Sequence, residues 1–178
     1  MVEEGFILET ERLWLRKLTQ SDFDALCRIL QDPIVMTAYE HAFSDEEVQD
    51  WLDKQLSRYR DDGIGLWAVI LKETGELIGQ CGLTMQELDG RRVPEIGYLF
   101  RRAFWHRGYA TEAAAACREY AFDALGLGEV YSIIRDSNTT SQNVAKRNGM
   151  SLRGETVKHY YGMDMPHMVY SVRKDRTE

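Results

Sequence analysis

Apolar residues recur along this chain in two rhythms. Between Ser44 and about Arg60, the residues Val48, Trp51, Leu52, Leu56 and Tyr59 fall at three- and four-residue steps, the spacing of one helix face. Ser44-Asp-Glu-Glu47 supplies a capping box at the head of that helix, and Asp62-Gly63 closes it. A longer helix is predicted from about Thr111 to Leu125, with Ala113, Cys117, Tyr120, Ala121 and Ala124 on one face. An earlier helix starts at Ser21-x-x-Asp24 and ends near Asp32-Pro33, because proline disfavours helical backbone in the residue before it. A short helix covers 141–148 and stops at Gly149.

The second rhythm is of short apolar and β-branched runs bounded by turn residues. It predicts strands at about Ile7–Leu18, Leu66–Leu71, Leu77–Met85, Val93–Phe100 and Val130–Arg135, then near 151–158 and 166–173. Thr74-Gly75 and Asp89-Gly90 are the hairpin turns. Hairpins mixed with strand–helix–strand units predict an α/β (α+β) fold, a mixed sheet of about seven strands flanked by about four helices. No repeat, linker or low-complexity segment interrupts the chain, so residues 1–178 are expected to form one domain.

The stretch from Glu95 to Ala113 carries the most chemistry. It reads as a strand, a polar loop containing Gly108, and the first turn of the long helix. Backbone N–H groups at a helix N-terminus lack intrahelical partners, and with the helix dipole they suit an anion. Gly108 has no Cβ, so a ligand can approach the backbone closely. Arg101, Arg102 and Arg107 add positive charge. Such a loop is suited to a diphosphate.

The string Trp105-His106-Arg107-Gly108-Tyr109-Ala110 resembles the pyrophosphate loop of GNAT-superfamily N-acetyltransferases, Q/R-x-x-G-x-G/A. Trp105 stands where Gln or Arg is usual, and His106 where the RimJ/RimL-like branch often has Gly. Asn138-Thr-Thr-Ser-Gln-Asn-Val-Ala-Lys-Arg-Asn-Gly-Met150 resembles the family's N-x-x-S…(K/R)-x-G-(F/M) element. The opening Thr10-Glu-Arg-Leu-Trp-Leu-Arg16 and the closing Tyr161 to Tyr170 also look like the RimJ/RimL-like branch. The resemblance implies the GNAT fold, mostly antiparallel, with two strands splayed apart to form a coenzyme A cleft.

It also implies acetyl-CoA as co-substrate, with no metal, and a set of site residues. Arg107, Gly108, Tyr109, Ala110 and Thr111 would hold the diphosphate, with Arg102 assisting. The open edge of Tyr98, Leu99 and Phe100 would pair with the pantetheine amides as an added strand does. Asn138, Ser141 and Asn143 lie in the second element, with Ser141 near the CoA sulfur; helix capping would equally explain Asn138 and Ser141. Many relatives carry a leaving-group Tyr at the position of Ala145, so that acid is absent. Glu95 is the candidate base for the amine, the alternative being an ion pair with Arg91 or Arg92. Glu40, His41 and Tyr160 are candidates for the acceptor side. The implied reaction is direct attack by a primary amine, of a protein N-terminus or a small molecule. The competing class is a non-catalytic CoA-binding sensor.

Bulk numbers narrow the partners. With 22 basic and 29 acidic residues the formal charge is −7, which disfavours nucleic acid. The acidic excess either favours a cationic acceptor or is a solvated surface. No apolar run approaches the roughly 20 residues of a membrane span. Glu3 and Glu4 do not fit a signal peptide, and three scattered cysteines suit reduced thiols, so a cytoplasmic monomer or homodimer is expected. There is no P-loop, H-E-x-x-H or G-x-S-x-G motif, and His159 and His167 are too isolated for a metal site.

Overall fold

A computed structural model describes residues 4–175; Glu3 and the extreme ends of the expected 1–178 domain lie outside the described residues. One eight-stranded sheet runs through the molecule in the order β1-β2-β3-β4-β5-β6-β8-β7. Its strands are β1 (Leu8–Glu9), β2 (Leu13–Lys17), β3 (Leu66–Leu71), β4 (Leu77–Leu88), β5 (Arg91–Phe100), β6 (Glu129–Arg135), β7 (Ser151–Tyr160) and β8 (Met163–Arg173). The helices are α1 (Phe23–Leu30), α2 (Asp45–Asp61), α3 (Tyr109–Asp123) and α4 (Thr139–Arg147). All neighbouring strands are antiparallel except β5 and β6.

Two elements differ from the expected pattern for local reasons. The single strand over Ile7–Leu18 is two strands, because the Thr10 hydroxyl accepts the Leu13 N–H at 3.1 Å while the Thr10 N–H donates to the Leu13 carbonyl at 2.9 Å. Threonine thus offers the backbone a turn in place of the ladder, and eight strands replace about seven. The capping box at the first helix lies two residues earlier than Ser21-x-x-Asp24. Asp22 accepts the Thr19 N–H at 2.8 Å, so a 3-10 turn over Gln20–Asp22 leads into α1. Arg16 holds the same carboxylate at 2.8 and 2.9 Å. The capping box of α2 forms as expected, with Ser44 accepting from the Glu47 N–H at 3.2 Å. Ala124 falls outside α3 and is exposed.

The helices pack in two layers. Gln80 of β4 accepts a hydrogen bond from the Trp51 indole of α2 at 2.8 Å, so α2 covers that face. Cys81 points the other way, its sulfur 3.7 Å from Cys117 of α3. Pairing carries this alternation into β5: Leu99 lies opposite Gln80 and Glu95 opposite Thr84 on the α2 face, and Tyr98 lies opposite Cys81 on the α3 face. The core fills both layers, with Leu13, Leu15, Leu26, Leu52, Trp67, Ile78 and Leu83 fully buried. At roughly 1.5–3 kcal/mol for each large apolar side chain, such burial is the main force holding the wedge-shaped sheet together.

Candidate active site

β5 and β6 run parallel but pair only at Glu95 with Tyr131. Past that point side chains take the place of the ladder. The Ser132 hydroxyl donates to the Ile96 carbonyl at 2.8 Å, and the Glu95 carboxylate accepts the Ile133 N–H at 2.7 Å. From Gly97 onward β5 has no strand on its β6 side, and a cleft of about 370 Å³ opens there. Unpaired strand edges take extended amide ligands as an added strand.

The loop after β5 is folded back by Trp105, whose indole N–H donates to the Phe100 carbonyl at 2.8 Å. This is the role of the tryptophan that stands where Gln or Arg is usual. His106 (φ 61°) and Gly108 (φ 80°) both adopt left-handed backbone, which His tolerates better than most residues and Gly adopts freely. α3 starts directly at Tyr109, two residues before the expected Thr111. The N–H groups of Gly108, Tyr109, Ala110 and Thr111 meet no acceptor among the described residues.

This first turn is held from the other end of the chain. Glu112 accepts from the Thr10 hydroxyl at 2.6 Å, the Arg12 N–H at 3.0 Å and the Arg12 Nε at 2.8 Å. Arg12 also donates to the Arg107 carbonyl at 2.9 Å and lies 4.3 Å from the Tyr109 ring centre. The Thr10-Glu-Arg12 segment and the first turn of α3 therefore meet at one carboxylate. Arg107 is exposed, 5.8 Å from the Phe104 ring, with no carboxylate partner among the described residues. Arg102 is turned away: its Nε pairs with Asp32 at 3.1 Å.

Along the cleft, Tyr98 and Leu99 line the wall as expected. The Tyr98 hydroxyl donates to the Ser141 carbonyl at 2.6 Å, joining β5 to α4, and burial pushes the phenol pKa well up. Phe100 does not line it: its ring is buried against Gly79, and its carbonyl is taken by Trp105. Asn138 caps α4 by accepting the Ser141 N–H at 3.2 Å. Ser141 is thus not the cap, and its hydroxyl, in the cleft lining, has no partner among the described residues. Asn143 is exposed on α4 and outside the lining.

At the far end the half-buried Glu95 faces α2. Neither alternative partner reaches it: Arg92 pairs with Asp62 at 3.1 Å and Arg91 donates to the Tyr131 hydroxyl at 3.3 Å. Burial pushes the Glu95 carboxyl above its ordinary pKa, against the pull of Lys158, the Ile133 N–H and Arg58. Tyr39, Phe43, Trp51, Tyr160 and Tyr161 form aromatic walls. Glu40 and His41 do not line the cleft. Glu40 is tied to Arg135 of β6, and the His41 Nε2 lies 2.7 Å from Glu47. Lys54, Arg58 and Lys158 also line the cleft and were not expected. The available signal was the helical spacing of Trp51, Lys54 and Arg58.

A parallel strand pair that parts after one residue leaves an open strand edge beside a helix N-terminus with free N–H groups, an arrangement that can take an extended amide ligand carrying an anionic group. Residues 12–151 match the acetyltransferase (GNAT) domain, and the chain belongs to that family. An uncharacterized N-acetyltransferase of Bacillus licheniformis, p20, is 33% identical over 157 residues, covering 86% of each chain. The solved acetyltransferase of Agrobacterium tumefaciens is 32% identical with a TM-score of 0.78, covering 94% of each chain. RimL, a ribosomal-protein alpha-N-acetyltransferase solved with coenzyme A, shares the fold at 18% identity and a TM-score of 0.78, covering 94% of this chain and 97% of its own. The family carries out acetyl-CoA-dependent acetyl transfer, and this protein is an N-acetyltransferase. No helix among the described residues is long and apolar enough to cross a membrane.

Proposed function

We propose that this chain is a single acetyltransferase domain that moves an acetyl group from acetyl-CoA to a primary amine by direct attack within a ternary complex. The observation that carries the reading is the wedge whose apex is Glu95 and whose open edge leads to the free N–H groups of α3. Bound acetyl-CoA supplies a thioester carbonyl open to a nitrogen nucleophile and a sulfur that leaves as thiolate. The N–H groups from Gly108 to Thr111, with Arg107, bind the diphosphate. The edge of Tyr98 and Leu99 aligns the pantetheine arm, and an N–H there stabilises charge on the thioester oxygen. Glu95 takes the proton that the amine loses as nitrogen bonds to the acetyl carbon. The free Ser141 hydroxyl serves the sulfur in place of the acid that Ala145, buried at 1% exposure, cannot provide. The three free cysteines are consistent with a reducing compartment such as the cytoplasm.

Two measurements on one preparation test this. Coenzyme A should raise the melting temperature by mass action, and thiol should be released from acetyl-CoA with some member of a panel of amines and peptides. Stabilisation without thiol release from any amine would favour the non-catalytic sensor. No stabilisation at millimolar coenzyme A would overturn the reading altogether.

A further inference from the structure

The acceptor end of the cleft has a charge opposite to that of the whole chain. The protein carries a formal charge of −7, yet the charged side chains lining the cleft are Lys54, Arg58, Arg135 and Lys158 against Glu95 alone. Arg135 is spent on Glu40. The other three have no carboxylate within 4.0 Å among the described residues. Arg58 has only a neutral partner: its Nη1 donates at 3.3 Å to the Gln55 carbonyl oxygen, which also accepts the Leu66 N–H at 3.0 Å. That fully buried glutamine fixes the guanidinium in the cleft wall.

Folding answers this cluster only loosely, with Glu95 and, for Arg58, Asp62 attracting it from beyond salt-bridge range. Lys54 and Arg58 stand four residues apart on α2, a like-charge spacing that weakens a helix. Burial lowers the pKa of each, and their mutual repulsion lowers Lys54 further. Lys158 adds a third positive charge from β7. The cluster also lies on the wrong face for the diphosphate. It shares the α2 face with Glu95, whereas Tyr98 and Ser141 belong to the face covered by α3 and α4.

Resting on the proposed acetyl transfer, we infer that the acceptor is a small amine that also carries a carboxylate or phosphate, held by Arg58, Lys158 and Lys54 while its nitrogen faces Glu95. The aromatic walls of Tyr39, Trp51 and Tyr160 enclose its body. The acidity of the whole chain therefore does not select a cationic acceptor; the cleft selects against one.

Matched pairs test this: phenylalanine against phenylalaninamide, and phosphoethanolamine against ethanolamine, each with acetyl-CoA and scored by thiol release. A charge-assisted contact gives about tenfold or more, so the anionic member of one pair should exceed its neutral partner in kcat/KM by at least that factor. The pair that responds says which anion is read. Lys158→Glu should reverse the preference, and Arg58→Gln should reduce it through KM; melting curves establish that each variant is folded. Neutral members turned over as well as anionic ones, or a preference that survives both substitutions, would overturn the inference and leave acetyl transfer standing. So would a tetrapeptide amide that outruns all four small amines. Should no amine release thiol, acetyl transfer itself fails. Melting temperatures with coenzyme A plus each pair member then decide the inference, which falls if the anionic members stabilise no more than the neutral ones.

Discussion

Replacing Glu95 with glutamine should make the enzyme slower and more stable at once. Glutamine has the same shape, and its carbonyl can still accept the Ile133 N–H that the carboxylate holds at 2.7 Å. The apex of the wedge therefore stays sealed, and affinity for acetyl-CoA should be retained. What is lost is the capacity to take a proton. A positioned base contributes about 100-fold or more, which corresponds to about 2.7 kcal/mol of activation free energy. Stability moves the other way. Burial raises the folded-state pKa of Glu95, against Lys158, the Ile133 N–H and Arg58. A raised carboxyl pKa means that the folded state holds the proton more tightly than the unfolded one. Wild-type stability then falls as pH rises from the ordinary glutamate value, about 4.3, to the raised one. Glutamine imitates the protonated form and escapes that loss, so the variant should melt higher at pH 7 and equally at pH 4.

The assay is turnover and melting temperature of wild type, Glu95→Gln and Glu95→Ala across pH 4 to 9. Alanine leaves the Ile133 N–H unpaired, at a cost of about 1–3 kcal/mol against the gain from removing a buried charge. The acidic limb of kcat/KM should change with glutamine, because in wild type it reports deprotonation of the carboxyl as well as of the amine. Near-parental turnover of Glu95→Gln with its acidic limb unchanged would refute the base. A glutamine variant that melts no higher than wild type at pH 7 would refute the account of its burial.

Other substitutions separate the remaining parts. Gly108→Val should abolish the melting shift produced by coenzyme A, because valine strains at φ 80° and its Cβ would stand 3.4 Å from Arg12 Nη2; an unchanged shift would move the diphosphate site elsewhere. Ser141→Ala should lower turnover while changing stability by less than about 0.5 kcal/mol, since the cap is Asn138; a stability loss with full turnover would reverse those roles. Glu112→Gln should destabilise by about 1–2 kcal/mol at pH 7, a figure discounted because Arg12 is 40% exposed. Burial opposes the Glu112 carboxylate, but Thr10 and Arg12 overcome it and hold its pKa low. The deficit should therefore shrink as pH falls below 4 and the wild type loses the same contribution, which pH-dependent melting would read.

Local chemistry made part of this molecule readable. The capping box at Ser44 and Glu47, the hairpin turns and Gly108 at the head of α3 depend on neighbouring residues, and they stand where the pattern puts them. What escaped depends on distant partners. Thr10 and Arg12 reach Glu112 across about a hundred residues, and nothing near Thr10 announces it. Arg102 looked like a ligand for phosphate because Asp32 is far away in sequence. Lys54 and Arg58 are far from Lys158 in sequence, and it is the sheet order, with β7 beyond β8, that brings the three to one cleft.

The same contrast explains how two half-buried glutamates divide their work. Glu112 meets three donors from Thr10 and Arg12, so its charge is fully answered and its pKa is depressed. Such a carboxylate is a poor base and a good strut, and it fixes the turn whose N–H groups must stay free. Glu95 meets a single N–H, with Arg58 and Lys158 beyond hydrogen-bonding reach, and burial leaves it raised. It lines the cleft, and its raised pKa makes it the stronger base of the two. In the proposed reaction, environment alone suits one glutamate to holding the first turn of α3 and the other to taking a proton. An anionic group on the acceptor would neutralise the cations that now draw the Glu95 pKa down, so it would strengthen the base as it binds.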